Sequence, residues 1–223
     1  MDARLFATAL AKFVAGFVLD GLLLFLPAGT LHWWQGWLFM AILFVPMFVA
    51  GLVMMAKAPD LLRKRLDAKE DESEQKAVLA LSAIMFIAAF VVAGLGFRFG
   101  WPALPTWASW AGAVAFLGAY ALYAEVMREN AYLSRTIEVQ GGQKVVDTGL
   151  YGIVRHPMYS ATLLLFLSMP IVLGSPFSFV IMLAYVPIIA KRIRNEEAVL
   201  ADGLEGYADY LTRVKWRLVP HIW

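Results

Sequence analysis

A chain of 223 residues that is 61% hydrophobic and only 16% charged exceeds the apolar content of an ordinary soluble domain and belongs in a membrane. The absence of cysteine excludes disulfides, thiolate metal sites and a cysteine nucleophile. A net charge of +2 says nothing about partners, and no nucleic-acid partner is expected.

In chain order, the first predicted element is a span over residues 5–27. Lys12 near one end and Asp20 inside it are costly in lipid unless they face protein or reach the interface. Its length suits a retained anchor rather than a removable signal peptide. Uncharged runs follow at 33–56, 77–97, 99–124 and, His156 apart, 156–190. Each reaches the roughly 20 residues that a helix needs to cross hydrocarbon. Spans near 5–27, 33–56, 77–97 and 107–127 are therefore expected.

The segment between the second and third spans holds Lys57, Arg63, Lys64, Arg65, Lys69 and Lys76, whereas the loop near Gly29 has no Lys or Arg and that near Gly100 only Arg98. Lys and Arg stay in the cytoplasm, so four spans return the chain there at Arg128. Residues 57–76 read as a solvated loop or surface helix. Residues 128–158 are mixed, with a turn signal at Gly141-Gly142 and β-branched Val145-Val146, and read as a cytoplasmic loop with enough apolar content to pack.

A single crossing after Met158 would export the basic tail that carries Lys191, Arg192, Arg194, Arg213, Lys215 and Arg217. A broken hairpin resolves this conflict, because Pro170, Gly174 and Pro176 interrupt the run near its middle. Each arm then has about 14 residues and a length of roughly 21 Å, short for a full crossing. Residues 191–213 carry Ile193, Val199, Leu200, Leu204, Tyr207 and Leu211 among charges, the pattern of an amphipathic helix with a break near Gly203 or Gly206. The expected fold is all-α: a polytopic integral-membrane helix bundle of four spans plus a C-terminal broken helical hairpin, a cytoplasmic loop and a C-terminal amphipathic helix. It divides into an N-terminal membrane region, 1–127, and a C-terminal region, 128–223.

Few residues offer chemistry. His32 lies in the Trp-rich interface stretch HWWQGW, where aromatic anchoring explains it. His221 lies near the last residue and has no obvious partners. No HxxH, HExxH or carboxylate cluster suggests a metal, and no GxSxG elbow, Walker loop or Rossmann glycine pattern appears. Two clusters remain, Arg155-His156-Pro157-Met158-Tyr159 and Arg192-Ile193-Arg194-Asn195-Glu196-Glu197. An interfacial reading of the first has Arg snorkelling, Tyr anchoring and Pro opening a helix. A surface reading of the second pairs Arg192 with Glu196 at i, i+4. The hairpin, however, brings both to one mouth over a partly apolar cavity, the default arrangement of a binding site.

The series Gln143-Lys-Val-Val-Asp-Thr-Gly-Leu-Tyr151, Arg155-His-Pro-Met-Tyr159, Glu196-Glu197-x-x-Leu200 and Tyr207-x-x-Tyr210 resembles the isoprenylcysteine carboxyl methyltransferase family, whose relatives include phospholipid N-methyltransferases. The resemblance implies a membrane methyltransferase that binds S-adenosylmethionine on the cytoplasmic side. It places the cofactor contacts on Gln143, Lys144, Val145, Val146, Tyr151, His156, Pro157, Met158, Tyr159 and Glu196, and the substrate-side arginine on Arg192. Eukaryotic members usually have His at the place of Gln143. A lipid-like or isoprenoid acceptor would enter from the bilayer, and no metal is required. Alternatives are a membrane sterol or isoprenoid reductase using NADPH, which resembles the same C-terminal end, and a non-enzymatic membrane protein.

Overall fold

A computed structural model describes residues 3–66, 73–130 and 142–223. Residues 131–141, the middle of the expected cytoplasmic loop with Gly141, lie outside the described residues, as do residues 67–72 of the basic segment.

The described chain is helical and contains no strand. The first spans appear as expected: α1 (Ala3–Ala28), α2 (Trp34–Lys57), α4 (Ser73–Arg98) and α5 (Thr106–Glu129), with the short α3 (Pro59–Leu66) in the basic segment. A turn of 3-10 helix, Gly149–Gly152, precedes α6 (Pro157–Val172), α7 (Pro176–Met182), α8 (Tyr185–Gly203) and α9 (Tyr207–Arg213). Among the described residues, five stretches are long and apolar enough to cross a membrane: Arg4–Ala28, Trp34–Lys57, Ala80–Arg98, Thr106–Glu129 and Pro176–Gly203. The molecule is thus an all-helical membrane protein.

The C-terminal hairpin differs from expectation in three ways. Pro170 does not break the run but lies inside α6. The break falls at Gly174, where a left-handed φ of +71° lets the Ser175 N–H donate to the Pro170 carbonyl at 2.9 Å and the Gly174 N–H to Ile171 at 3.1 Å. Those two bonds close a helix end around a glycine. The arms are also unequal, with 16 residues in α6 against a run of 28 from Pro176 to Gly203. Pro187 explains the interruption within that run at Leu183-Ala184, since a proline lacks the N–H and its ring clashes with the carbonyl four residues back. Val186 bonds to Leu183 instead. Finally, the amphipathic helix is not a separate element: α8 begins at Tyr185 and carries the apolar arm into the charged segment, and the expected break near Gly203 or Gly206 separates it from α9.

The chain forms two compact units. The first comprises Met1–Ala113 with Met169–Met182. Here α1 packs along α4, and α4 along α7. Packing is close: a Cβ on Gly94 would lie 2.6 Å from the Leu24 carbonyl oxygen, and one on Gly112 2.9 Å from the Val172 nitrogen. Aromatic pairs fill the same unit, among them Phe13 against Phe44 and Trp33 stacked on Phe97. The second unit comprises Val114–Ser168 and Leu183–Trp223. It holds an apolar cluster of Leu204, Tyr207, Tyr210 and Val214, against which Val145, Leu200 and Leu211 pack.

Candidate active site

All the residues expected to bind a cofactor or substrate lie in the second unit. The Gly149–Gly152 turn leads into the first cluster. At Gly149 φ is +52°, and any Cβ there would sit 1.6 Å from a carboxylate oxygen of Glu129. Glycine suits the left-handed backbone here, and any side chain would have to displace the carboxylate that accepts the Leu150 N–H at 3.0 Å. The next residue, Tyr151, is fixed at both ends: its hydroxyl accepts from Asn130 Nδ2 at 2.9 Å and its carbonyl from the Tyr210 hydroxyl at 2.7 Å. Burial pushes the Tyr151 phenol up to about 12, against a lowering by the Asn130 hydrogen bond, so it stays protonated at neutral pH.

Pro157 opens α6 at a position where a missing N–H costs nothing. The amides just before it cannot join that helix, and they find partners in the tail: Arg155 N–H donates to the Trp216 carbonyl at 2.8 Å and His156 N–H to the Arg217 carbonyl at 2.9 Å. The Ser160 hydroxyl donates to the Leu218 carbonyl at 2.6 Å.

Two carboxylates of α8 then organise the side chains. Glu196 Oε2 accepts the Tyr159 hydroxyl at 2.6 Å, and that hydroxyl accepts from Arg192 Nε at 2.9 Å. Tyr159 therefore bridges Arg192 and Glu196, in place of the simple exposed ion pair that the surface reading offered. His156 Nδ1 lies 3.9 Å from Glu196 Oε1, and the His156 and Tyr159 rings lie 5.7 Å apart. Glu196 keeps 27% of its side chain exposed whereas that of His156 keeps 4%, so the group has a wet side and a dry side. Glu197, next in sequence, points to the buried side. Its Oε1 forms an ion pair with Arg155 Nε at 2.8 Å, close but outside hydrogen-bond alignment, and lies 3.2 Å from His156 Nε2, while its Oε2 meets Arg217 Nη2 at 2.8 Å and Nε at 2.9 Å. Arg155 Nη1 further donates to the Val214 carbonyl at 3.1 Å.

The hairpin thus brings His156, Tyr159, Arg192 and Glu196 to one mouth, as the sequence implied. Pro157 is fully buried, and Met158 is half-buried. Gln143, Lys144, Val145 and Val146 precede the turn without regular structure: Val145 packs on the tyrosine cluster, Lys144 is exposed, and Gln143 and Val146 are half-buried. Sequence reasoning did not single out Glu129, Asn130, Glu197, Arg155 or Arg217 as site residues. Arg155 and Glu197 stood inside the quoted clusters; Arg217 carried no signal beyond its charge. Among the described residues no group of three or more His, Asp or Glu is placed to hold a metal ion.

Residues 111–202 match the model of the isoprenylcysteine carboxyl methyltransferase family. The fold is similar to the structure of a eukaryotic intramembrane Ras methyltransferase, isoprenylcysteine carboxyl methyltransferase, with a TM-score of 0.56 and 19% identity over 82% of this chain and 65% of that one. At that identity the likeness concerns the fold alone. Two curated relatives are Delta(14)-sterol reductases, that of Methylotuvimicrobium alcaliphilum, 26% identical over 135 residues, and that of Arabidopsis thaliana, 32% identical over 85 residues. These alignments cover 54% and 37% of this chain, which spans only 32% and 23% of the length of the reductases. The resemblance read from the sequence is borne out: over residues 111–202, which include the RHPxY turn and both glutamates, the chain carries the pattern of the isoprenylcysteine carboxyl methyltransferase family.

Proposed function

We propose that the protein is an integral-membrane methyltransferase that uses S-adenosylmethionine and acts on a lipid-like or isoprenoid acceptor. The observation that carries this reading is the convergence of His156, Tyr159, Arg192 and Glu196 from the two arms of one hairpin. The donor set suits the cofactor. S-adenosylmethionine presents an ammonium, two ribose hydroxyls and an adenine amine, all donors. When Nε2 of His156 donates to Glu197, Nδ1 is left as an acceptor. Nδ1 and Glu196 Oε1 then face each other across 3.9 Å, too far for a direct hydrogen bond and suited to a donor that serves both.

Bound there, S-adenosylmethionine supplies an electrophilic methyl group on a sulfonium, transferred by in-line displacement. The protein has to align and to exclude water. Glu196 accepts hydrogen bonds from the donors of the cofactor, and the His156 and Tyr159 rings offer it flat surface. Arg192, aimed by the Tyr159 hydroxyl, forks onto a carboxylate or phosphate of the acceptor. Gln143, Lys144, Val145, Val146, Tyr151, Pro157 and Met158 complete the cofactor side. The Lys and Arg distribution supports a cytoplasmic mouth. Thr212→Cys and Lys57→Cys in this cysteine-free chain should label from the cytoplasmic side and Ala103→Cys from the other; labelling of Thr212→Cys from outside refutes the orientation.

The alignments with sterol reductases favour a second reading, reduction of an isoprenoid with NADPH at the same mouth. Transfer of radiolabelled methyl from S-adenosylmethionine to membrane lipid extract by purified protein tests the first reading. Label in the lipid fraction that disappears in Arg192→Ala supports it, and NADPH oxidation by the same extract without label overturns it in favour of the second.

A further inference from the structure

The family match ends at residue 202, yet the amides of the RHPxY turn are satisfied by residues well beyond it. From this we infer that residues 214–218 form a strap that belongs to the site, in which Arg217 is a positioning residue that sets the orientation and tautomer of His156 through Glu197. Three observations carry the inference. The strap supplies backbone acceptors: Trp216 and Arg217 carbonyls take the Arg155 and His156 amides at 2.8 and 2.9 Å, and the Leu218 carbonyl takes the Ser160 hydroxyl at 2.6 Å. Without them the Arg155 and His156 amides ahead of Pro157 have no helical partner, a loss felt most at the buried His156.

The strap also supplies the charge that balances Glu197. That carboxylate has 9% of its side chain exposed and receives Arg155, His156 and Arg217 together. Arg217 occupies Oε2 with both Nε and Nη2, which leaves Oε1 for Arg155 and for His156 Nε2. A neutral imidazole that donates Nε2–H to a fixed carboxylate presents Nδ1 as an acceptor toward Glu196. Arg217 is in turn held by its own neighbourhood, with its guanidinium 5.2 Å over the Trp223 ring and its amide bonded to the Trp223 carbonyl oxygen at 2.9 Å. The chain of contacts thus runs from the Trp223 ring through Arg217 and Glu197 to His156.

The consequence for cofactor binding rests on the methyltransferase reading; the consequence for His156 does not. The test is Arg217→Gln in the full chain, labelled with 15N-histidine in detergent. The protein has three histidines, so His156 is assigned by loss of its signal in His156→Ala. The strap predicts that wild-type His156 holds the Nε2–H tautomer, that Arg217→Gln shifts it toward a mixture, and that S-adenosylmethionine affinity falls on the order of tenfold. A purely structural role for Arg217 would lower the melting temperature while the His156 spectrum and the affinity stay at wild-type values, and that result overturns the inference. If Arg217→Gln does not fold, Ser160→Ala decides the matter, with a smaller shift of the His156 signal expected and an unchanged signal fatal. A wild-type protein that binds no S-adenosylmethionine sinks the methyltransferase reading, and the His156 spectrum alone then confirms or overturns the strap.

Discussion

The two units are held together by different physics. In the first, helices approach through glycines and fill the remaining space with rings: Gly94 meets the backbone of α1 and Gly112 that of α6, and its buried polar residues, among those described, are the serines Ser109, Ser175 and Ser178. In the second, a carboxylate, an arginine and a histidine are drawn out of solvent and paired with one another and with the half-buried Arg217, and a tail carbonyl takes a further bond from Arg155. Shape-based packing tolerates any apolar residue of the right volume. A buried charged network tolerates almost no single deletion, because each loss strands its partners.

The sharpest way to break the comparison is Glu197→Ala. It leaves Arg155 and Arg217 facing each other without a counter-charge, and should cost about 3–5 kcal/mol, read as a large drop in melting temperature in detergent together with loss of cofactor binding. A variant that melts near the wild type would show that the network is ornamental.

Next come the two groups bridged by Tyr159. Glu196→Gln should weaken S-adenosylmethionine binding by roughly 1.5–3 kcal/mol through loss of charge-assisted hydrogen bonds. Arg192→Ala should leave that binding nearly intact while methyl transfer collapses, since an acceptor without its fork is misplaced relative to the methyl group. Arg192→Lys should recover little, because a point charge does not reproduce bidentate geometry. Binding and turnover measured on the same three variants check the split. Equal loss of affinity in all three would erase the division of roles.

The smallest change belongs to the first unit. Gly94→Ala forces a Cβ to within 2.6 Å of the Leu24 carbonyl oxygen, so α1 and α4 must separate, at a cost of roughly 1–3 kcal/mol. The melting temperature should fall while the cofactor affinity of the folded protein does not. A parallel loss of affinity would mean that the units do not divide labour as described.

How much of this was legible in the sequence follows from the same contrast. Long uncharged runs declare spans by composition alone, so α1, α2, α4 and α5 lay within a few residues of expectation. The hairpin was legible through Gly174 and Pro176, but the sequence reading counted Pro170, which a helix accommodates near its end, and passed over Pro187, which breaks the second arm. Of the site, His156, Tyr159, Arg192 and Glu196 stood out as charge and ring chemistry at the ends of an apolar run. Glu197 looked like its neighbour Glu196, and only the direction each carboxylate takes around α8 separates the half-exposed one from the buried one. Arg217 was illegible because Glu197, the carboxylate it holds, lies 20 residues away and nothing periodic links the two. Polar networks assembled from distant segments leave no local pattern.

The central claim is that the mouth formed by the buried His156 and Tyr159 with the half-buried Arg192 and Glu196 binds S-adenosylmethionine. Titration of detergent-solubilised wild-type protein and His156→Ala with S-adenosylmethionine, its demethylated product and NADPH tests it most directly. Saturable binding of S-adenosylmethionine and its product to the wild type, weakened in a folded His156→Ala and with none for NADPH, is the predicted result. Binding of NADPH alone, or S-adenosylmethionine affinity unchanged in folded His156→Ala, would contradict it.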